Sequence, residues 1–143
     1  MTIRTMLISD YSKLLSLFKN TPGITVREAD SKESILRYLD RNHNLNFVAV
    51  IDSNVIACVM CGHDGRRGYL QHLLVSPKYR NRGIGQMLFE KCLDNLEQIG
   101  IQKTHIFVLK NNTQANEFWS NQGWDMRDDI NMYSYNRSSN SNI

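Results

Sequence analysis

The chain has 143 residues, of which 41% are hydrophobic and 22% charged, a length and composition typical of one globular domain with a substantial core. Its formal charge of +3 and its pI near 8.8 are mild, and they indicate neither a nucleic-acid-binding arm nor a polybasic membrane segment. Because no apolar stretch approaches the ~20 residues that cross a bilayer and no secretory signal is recognisable, we expect a cytoplasmic protein without nucleic-acid or membrane partners.

The beginning of the chain predicts a strand and then a helix. Residues 3–7 form the predicted strand. Ser9 or Asp10 can cap the helix, whose apolar residues follow helical spacing, and Pro22 ends it.

The next segment predicts a second helix and then three strands. Asp30 with Glu33 three residues later is a capping-box arrangement that announces the helix. Residues 47–51, 55–61 and 69–75 are apolar, rich in β-branched residues and separated by turn-forming residues, so they predict strands joined by hairpins.

The last part of the chain predicts a long central helix and three further elements. The helix has an apolar stripe ended by a glycine, and the stripe consists of Ile84, Met87, Leu88, Cys92, Leu96 and Ile99. Residues 104–108 predict a strand, residues 112–122 a short helix, and residues 130–135 a last strand. The polar tail 137–143 is expected to be disordered.

The three cysteines include a C-x-x-C pair, Cys58 and Cys61, which raises the question of a redox or zinc site. The pair lies in a predicted strand, where residues three apart point to opposite faces and cannot easily share a metal. His63 and Cys92 add no second ligand pair at a recognisable spacing. We therefore expect buried, reduced thiols and no metal.

A basic turn with the sequence Arg-Asn-Arg-Gly-Ile-Gly occupies residues 80–85, between a predicted strand and the central helix. A helix N-terminus leaves backbone N–H groups unpaired and carries about half a positive charge, so it attracts anions. Gly83 and Gly85 allow a pyrophosphate to approach the main chain, and Arg80 and Arg82 can donate forked hydrogen bonds to it. The turn lacks the Gly-Lys-Ser/Thr ending of a mononucleotide loop and the spacing of a dinucleotide fingerprint. It therefore predicts a diphosphate ligand, although an ordinary strand-to-helix connection would need similar glycines.

Two blocks of sequence resemble the GNAT superfamily of acetyl-coenzyme A-dependent N-acetyltransferases. The first is the family pattern Arg/Gln-x-x-Gly-x-Gly/Ala after a strand ending Leu-x-Val, matched by Leu73, Leu74, Val75, Pro77, Tyr79 and residues 80–85. The second is similar to the family's Asn-x-x-Ala…Phe-Tyr-x-x-x-Gly-Phe segment, matched in part by Asn111, Ala115, Phe118, Gly123 and Trp124. The two blocks occur in the family's order, and the resemblance spans residues 3–135.

The resemblance implies a mixed α/β fold in one N-acetyltransferase domain, residues 1–136. Its central sheet would be mostly antiparallel with six to seven strands, flanked by about four helices, the first two of them beside the acceptor site. Acetyl-coenzyme A would be the co-substrate, and a primary amine of a small metabolite or a protein N-terminus the acceptor, in a protein that can form a homodimer. The residues that would bind the coenzyme are Leu73, Leu74, Val75, Arg80, Asn81, Arg82, Gly83, Ile84, Gly85, Gln86, Asn111, Phe118 and Trp119.

The usual general acid of the family is replaced in this chain. Trp119 stands where the family has a tyrosine, and an indole N–H is not a useful proton donor. Because a thiol has a pKa of only ~8.5, a thiolate is a tolerable leaving group. Water or Tyr133 could protonate it afterwards.

A general base is harder to assign. The positions where family members carry carboxylates or histidines correspond here to Tyr69, Gln71 and Phe107. His72 is adjacent to Gln71, but strand alternation points the two side chains to opposite faces. A structural role is therefore favoured for His72, and the same holds for His105. The catalytic candidates are therefore Tyr69, His72 and Tyr133.

The shortage of bases points to a weakly basic acceptor. An alkyl amine with a pKa of ~10.4 is almost fully protonated at neutral pH, whereas roughly one-tenth of an α-amino group with a pKa near ~8 is unprotonated.

Two other classes of function stay open on the sequence. One is a non-catalytic acyl-coenzyme A sensor or regulatory protein, favoured by Trp119 and the missing base. The other is a nucleic-acid surface formed by basic residues such as Arg66 and Arg67, against which the mild net charge weighs.

Overall fold

Five strands pair in chain order, so that each strand lies beside its sequence neighbours in one sheet. They are β1 (Thr2–Thr5), β2 (Phe47–Ile51), β3 (Asn54–His63), β4 (Gly68–Val75) and β5 (Thr104–Ile106). The first four strands pair antiparallel, whereas β5 runs parallel to β4 because a helical connection returns the chain between them. The mixed class is confirmed, but the expectation of six to seven strands is wrong.

The computed structural model describes all 143 residues and contains four α-helices, the number that the resemblance implied. They are α1 (Tyr11–Lys19), α2 (Lys32–Arg41), α3 (Ile84–Gln98) and α4 (Thr113–Asn121). The predicted capping box of Asp30 and Glu33 is wrong. Ser31 caps α2 instead, and its Oγ accepts a hydrogen bond from the Ser34 amide at 3.2 Å. The Asp30 carboxylate is occupied elsewhere, by groups outside the helix.

Helices α1 and α2 cover one face of the sheet, and α3 covers the other. The buried residues on the first face are Met6, Leu14, Phe18, Ile35, Val48, Cys58, Met60 and Leu74. Strand alternation turns the intervening residues to the second face, where the Nζ of Lys91 on α3 lies 5.2 Å from the centroid of the Phe47 ring. The sheet therefore separates two apolar layers.

All three cysteines are free and buried, as expected from their position in a strand and a helix stripe. Cys58 belongs to the layer under α1, whereas Cys61 contacts Cys92 of α3, so the C-x-x-C pair points to opposite faces. Burial raises the pKa of Cys58 to about 12, and the neighbouring Cys61 thiol together with burial raises the pKa of Cys92. The thiols of Cys58 and Cys92 are therefore protonated and unreactive at neutral pH.

The chain divides into two compact units, residues 1–107 and residues 108–143. The second unit contains α4, which begins at its N-cap Asn112 and ends before Gly123, whose φ of 83° is left-handed. Trp119 is buried in this unit, with its ring centroid 5.1 Å from that of Phe118 and 4.6 Å from that of Trp124.

The predicted last strand, residues 130–135, is absent from the structure. Ile130, Met132 and Tyr133 are exposed, and no strand pairs with this segment. Apolar and aromatic residues favour a strand only when a neighbouring strand supplies hydrogen bonds and packing, and that partner cannot be read from local composition.

None of the four helices combines the length and apolar character that a membrane span requires.

Candidate active site

The connection from β4 to α3 is a turn with defined hydrogen bonds. The Ser76 amide donates to the Ile56 carbonyl at 2.8 Å, and a single 3-10 turn, Pro77–Tyr79, follows. Asn81 and Gly83 then have φ angles of 61° and 78°, in the left-handed region. Two left-handed residues this close together turn the chain sharply. Glycine adopts such φ angles without strain.

The N-terminus of α3 has no side-chain cap. Its first intrahelical hydrogen bond runs from the Met87 amide to the Gly83 carbonyl at 3.0 Å, so the amides of Ile84, Gly85 and Gln86 have no partner within the helix. A Cβ added to Gly83 would meet no atom within 4 Å, so space lies open beside the helix start. The amides and the helix dipole together form a site suited to an anion.

Two arginines of the turn are held by backbone carbonyls. Arg80 donates from Nε to the Val75 carbonyl at 3.0 Å, and its two Nη groups make no hydrogen bond to the protein. Arg82 donates from Nη2 to the Lys78 carbonyl at 3.2 Å, with its guanidinium 5.3 Å from the centroid of the Tyr79 ring. Both side chains are thus fixed near the turn while keeping N–H groups for a ligand.

Strand β4 is paired with β5 over only part of its length. The pairing covers Gly68 to Leu70 and ends there, whereas β4 continues along β3 to Val75. The edge of β4 at Leu73, Leu74 and Val75 is therefore not paired with β5. This is the backbone that the resemblance assigns to the pantetheine arm of the coenzyme, although the Leu74 side chain itself is buried under α1.

A bulge interrupts β4 immediately before that segment. His72 and Leu73 lie opposite the single residue Val59, and His72 has a φ of 47°. Alternation does not hold across such a bulge, so the argument that turned His72 away from Gln71 does not apply. A non-glycine residue in the left-handed region is uncommon and is enriched at functional sites.

The His72 imidazole pairs with a carboxylate that the sequence analysis missed. Its Nε2 lies 2.7 Å from Oδ1 of Asp30, and its ring centroid lies 4.6 Å from that of Phe18. Asp30 is only 5% exposed. No sequence signal links the two residues, which are 42 positions apart and meet only because the 3-10 turn Glu28–Asp30, which precedes α2, lies against β4.

The other two catalytic candidates are Tyr69 and Tyr133, and neither is hydrogen-bonded to His72 or Asp30. Tyr69 packs its ring against those of His105 and Phe107, at centroid distances of 5.7 Å and 6.4 Å. Tyr133 belongs to the second unit, where its side chain is 91% exposed. Tyr69 is therefore part of an aromatic cluster on β4 and β5, and neither tyrosine contacts a carboxylate in the structure.

The residues of the second sequence block lie in residues 108–143. Asn111 is exposed, and the cap of α4 is its neighbour Asn112, whose Oδ1 accepts a hydrogen bond from the Ala115 amide at 3.1 Å. A capping role for Asn111 is thereby excluded, whereas core packing accounts for the burial of Trp119. In the first block, Nε2 of Gln86 donates a hydrogen bond to Oε1 of Glu90 at 2.8 Å, so the backbone amide is the part of Gln86 that remains for a ligand.

No three His, Cys, Asp or Glu side chains are grouped as a metal site would need.

Known proteins resemble this chain over most of its length. Residues 11–124 match the model of the acetyltransferase (GNAT) family. An acetyltransferase of Sodalis glossinidius (strain morsitans) is 27% identical over 130 residues, which cover 91% of each of the two chains.

Solved structures share the fold. The PaiA N-acetyltransferase from Thermoplasma acidophilum, in complex with coenzyme A, has a TM-score of 0.80 at 23% identity, covering 89% of this chain and 91% of its own. AAC(6′)-Iy, in complex with the bisubstrate analogue CoA-S-monomethyl-acetylneamine, has a TM-score of 0.74 at 17% identity, covering 94% of this chain and 97% of its own. At these identities the likeness shows a common fold.

Proposed function

This chain belongs to the acetyltransferase (GNAT) family, and we propose that it transfers an acetyl group from acetyl-coenzyme A to a primary amine of a small metabolite or a protein N-terminus. The amine attacks the thioester carbonyl directly while both substrates are bound. The new C–N bond forms as the C–S bond breaks, the electron pair of the broken bond stays on the coenzyme sulfur, and the amine loses a proton. The uncapped N-terminus of α3 beside two fixed arginines is the observation that carries this proposal.

The first unit offers two elements that fit the coenzyme. The amides of Ile84, Gly85 and Gln86, with Arg80 and Arg82, suit the pyrophosphate because they combine a helix dipole with charge-assisted hydrogen bonds. The β4 edge from Leu73 to Val75 suits the pantetheine arm, whose amides can bond an unpaired strand. Two proteins of the same fold, the PaiA enzyme and AAC(6′)-Iy, have been solved with coenzyme A or an analogue containing it, which supports this assignment.

The acceptor is proposed to be an amine of low basicity, such as an α-amino group. Such an amine supplies a useful unprotonated fraction at neutral pH, so a strong general base is not needed. The analogue bound to AAC(6′)-Iy contains acetylneamine, which makes aminoglycoside amines a second group to test. Asn111, Phe118 and Trp119 are further proposed to line the coenzyme, and Tyr69 and Tyr133 to supply or relay protons near the thiolate.

The test is a panel of amines with the purified chain and acetyl-coenzyme A. The panel contains peptides with a free α-amino group, amino acid amides, alkyl diamines and an aminoglycoside; thiol release and product mass are recorded. We expect acetylation of one of the low-pKa amines and saturable binding of coenzyme A by calorimetry. A strict preference for alkyl ammonium compounds would refute the acceptor class. Binding of the coenzyme with no transfer to any amine would favour a sensor instead.

Location and assembly complete the proposal. We propose a cytoplasmic protein that can form a homodimer, and cell fractionation together with light scattering on the purified chain measures both properties. Salt-sensitive binding to DNA or RNA that persists in excess coenzyme A would contradict the exclusion of nucleic-acid partners.

A further inference from the structure

A buried carboxylate fixes the orientation of the one imidazole at the β4 bulge. Oδ1 of Asp30 lies 2.7 Å from Nε2 of His72, and Oδ2 accepts a hydrogen bond from the Arg27 amide at 2.9 Å. The Asp30 carbonyl accepts a further hydrogen bond from the Tyr11 hydroxyl at 2.7 Å. Side chain and backbone of Asp30 are therefore both tied in place, which is more restraint than a surface ion pair receives.

The imidazole is held as firmly from its other sides. Its ring packs on Phe18 of α1, and the Cys58 thiol of β3 donates to the His72 carbonyl at 3.3 Å. Two titratable side chains of neighbouring elements, Tyr11 and Cys58, thus bond the backbone of the pair. The backbone at His72 is left-handed, a conformation that a non-glycine residue keeps only when its surroundings enforce it.

The charge state of Asp30 determines which imidazole nitrogen is free. Burial pushes the pKa of Asp30 upward, but hydrogen bonds from His72 and from the Arg27 amide outweigh it and hold the pKa below its usual range. Asp30 is therefore ionised at neutral pH, and an ionised carboxylate only accepts hydrogen bonds. Nε2 of His72 must then carry the proton of the hydrogen bond to Asp30. In a neutral imidazole this leaves the free lone pair on Nδ1.

The other imidazole nitrogen, Nδ1, is neither bonded to the protein nor fully buried. It has no hydrogen-bond partner in the protein, and the only buried side-chain nitrogen or oxygen without a partner is the Tyr38 hydroxyl, so Nδ1 is not among the buried atoms. The His72 side chain retains 18% exposure. Leu73, the next residue along β4, lies in the part of the strand that β5 leaves unpaired.

We propose that Asp30 is a positioning residue that holds His72 as the Nε2–H tautomer, so that Nδ1 accepts the proton released by the attacking amine. The inference rests on the proposed acetyl transfer, for which it supplies the missing base. As the C–N bond forms and the C–S bond breaks, the amine proton passes to Nδ1, directly or through one water, and the electron pair of the C–S bond leaves on the thiolate. Asp30 stays ionised and stabilises the resulting imidazolium.

The test compares two buried aspartates. Asp30→Asn removes the charge that orients His72, whereas Asp10→Asn is the matched control, since Asp10 is equally buried and pairs with Arg4 at 2.8 Å before α1. His72→Gln removes the base itself. For each variant kcat, the KM of acetyl-coenzyme A, the pH–rate profile and the Tm are measured with the acceptor found in the panel.

We expect kcat to fall on the order of 10²-fold in His72→Gln and about tenfold or more in Asp30→Asn, with the KM of acetyl-coenzyme A within about twofold of the wild type. The limb of the pH–rate profile that reports the base should move in Asp30→Asn. Asp10→Asn should lower the Tm and leave both kcat and the profile unchanged.

Nitrogen-15 NMR of the imidazoles gives a readout that needs no activity, even if Asp30→Asn does not fold. The chain has four histidines, and the His72→Gln spectrum identifies the signals of His72. At a pH where the ring is neutral, the wild type should show a protonated Nε2 and a bare Nδ1. A protonated Nδ1, or an Asp30→Asn variant as active as Asp10→Asn, would overturn the role of Asp30 alone. A wild-type chain that acetylates no amine would overturn the proposed function as well.

Discussion

Arg80 illustrates how one side chain can support the fold and a ligand together. Its Nε bonds the carbonyl at the end of β4, which fixes the guanidinium beside the turn and leaves both Nη groups for other partners. A planar guanidinium donates two parallel hydrogen bonds to one phosphate, which a lysine cannot do. The sequence identified this residue because its neighbours in the chain define the turn.

We predict that Arg80→Ala weakens coenzyme A binding by about 1–3 kcal/mol, or ~5- to 150-fold in Kd, because charge-assisted hydrogen bonds to phosphate are lost. Isothermal titration calorimetry measures the change. Arg66→Ala is the control, since Arg66 is an exposed arginine of the turn between β3 and β4. Equal Kd values for the wild type and Arg80→Ala would contradict the assignment of this arginine.

At the scale of elements, the start of α3 depends on a residue without a side chain. Gly83 is the N-cap, with a φ of 78° and open space where a Cβ would stand. An L-residue pays for that backbone conformation in strain, and its Cβ would also occupy the place beside the free amides. The same glycine therefore shapes both the local fold and the proposed anion site.

Gly83→Ala should destabilise the fold by about 1–2 kcal/mol through the left-handed backbone alone, since no atom of the protein would clash with the new methyl group. It should also weaken coenzyme A binding. Gly65→Ala is a matched control because Gly65 has a φ of 90° and equally open surroundings, but lies in the β3–β4 turn. Thermal unfolding should report similar losses for both variants. Calorimetry should detect a loss of coenzyme affinity in Gly83→Ala only.

Elements defined by local pattern were predicted well, and those defined by a distant partner were not. The bounds of β2 and the start of α3 agree with the sequence patterns, because β-branched runs and a glycine before an apolar stripe act locally. The strand expected at residues 130–135 required a neighbour, and no strand pairs with it. The bulge at His72 likewise reflects a mismatch between β3 and β4 that neither strand shows by itself.

For the molecule as a whole, two buried aspartates link stability to pH. The Arg4 guanidinium holds the pKa of Asp10 below its usual range, and the pKa of Asp30 is lowered as described above. A carboxyl whose folded pKa is depressed contributes stability that is complete above its unfolded pKa and is lost as the pH falls through the folded value. Protonation of both carboxyls thus favours the unfolded chain in acid.

We therefore expect the Tm to change little between about pH 7 and pH 5 and to fall below about pH 4, the range of an ordinary aspartate. Asp10→Asn should have a lower Tm at neutral pH and a shallower decline in acid, because one titrating group is gone. Asp40→Asn, at an exposed position that makes no hydrogen bond, should follow the wild type. Calorimetric scans from pH 7 to pH 2 measure all three curves, and parallel curves for the wild type and Asp10→Asn would contradict the linkage.

The sequence by itself determined the family, the order of the main helices and strands, and the turn proposed to bind an anion, because glycines, caps and apolar spacing act on residues close in the chain. Only the tertiary structure decided the number of paired strands, the orientation of His72 and the presence of Asp30 beside it. Those features depend on contacts between residues tens of positions apart, whose free energy arises from burial and pairing in the folded chain. The turn proposed to bind the coenzyme could be read from residues adjacent in the chain, whereas the pair proposed to move the proton exists only after the turn that contains Asp30 has packed against β4.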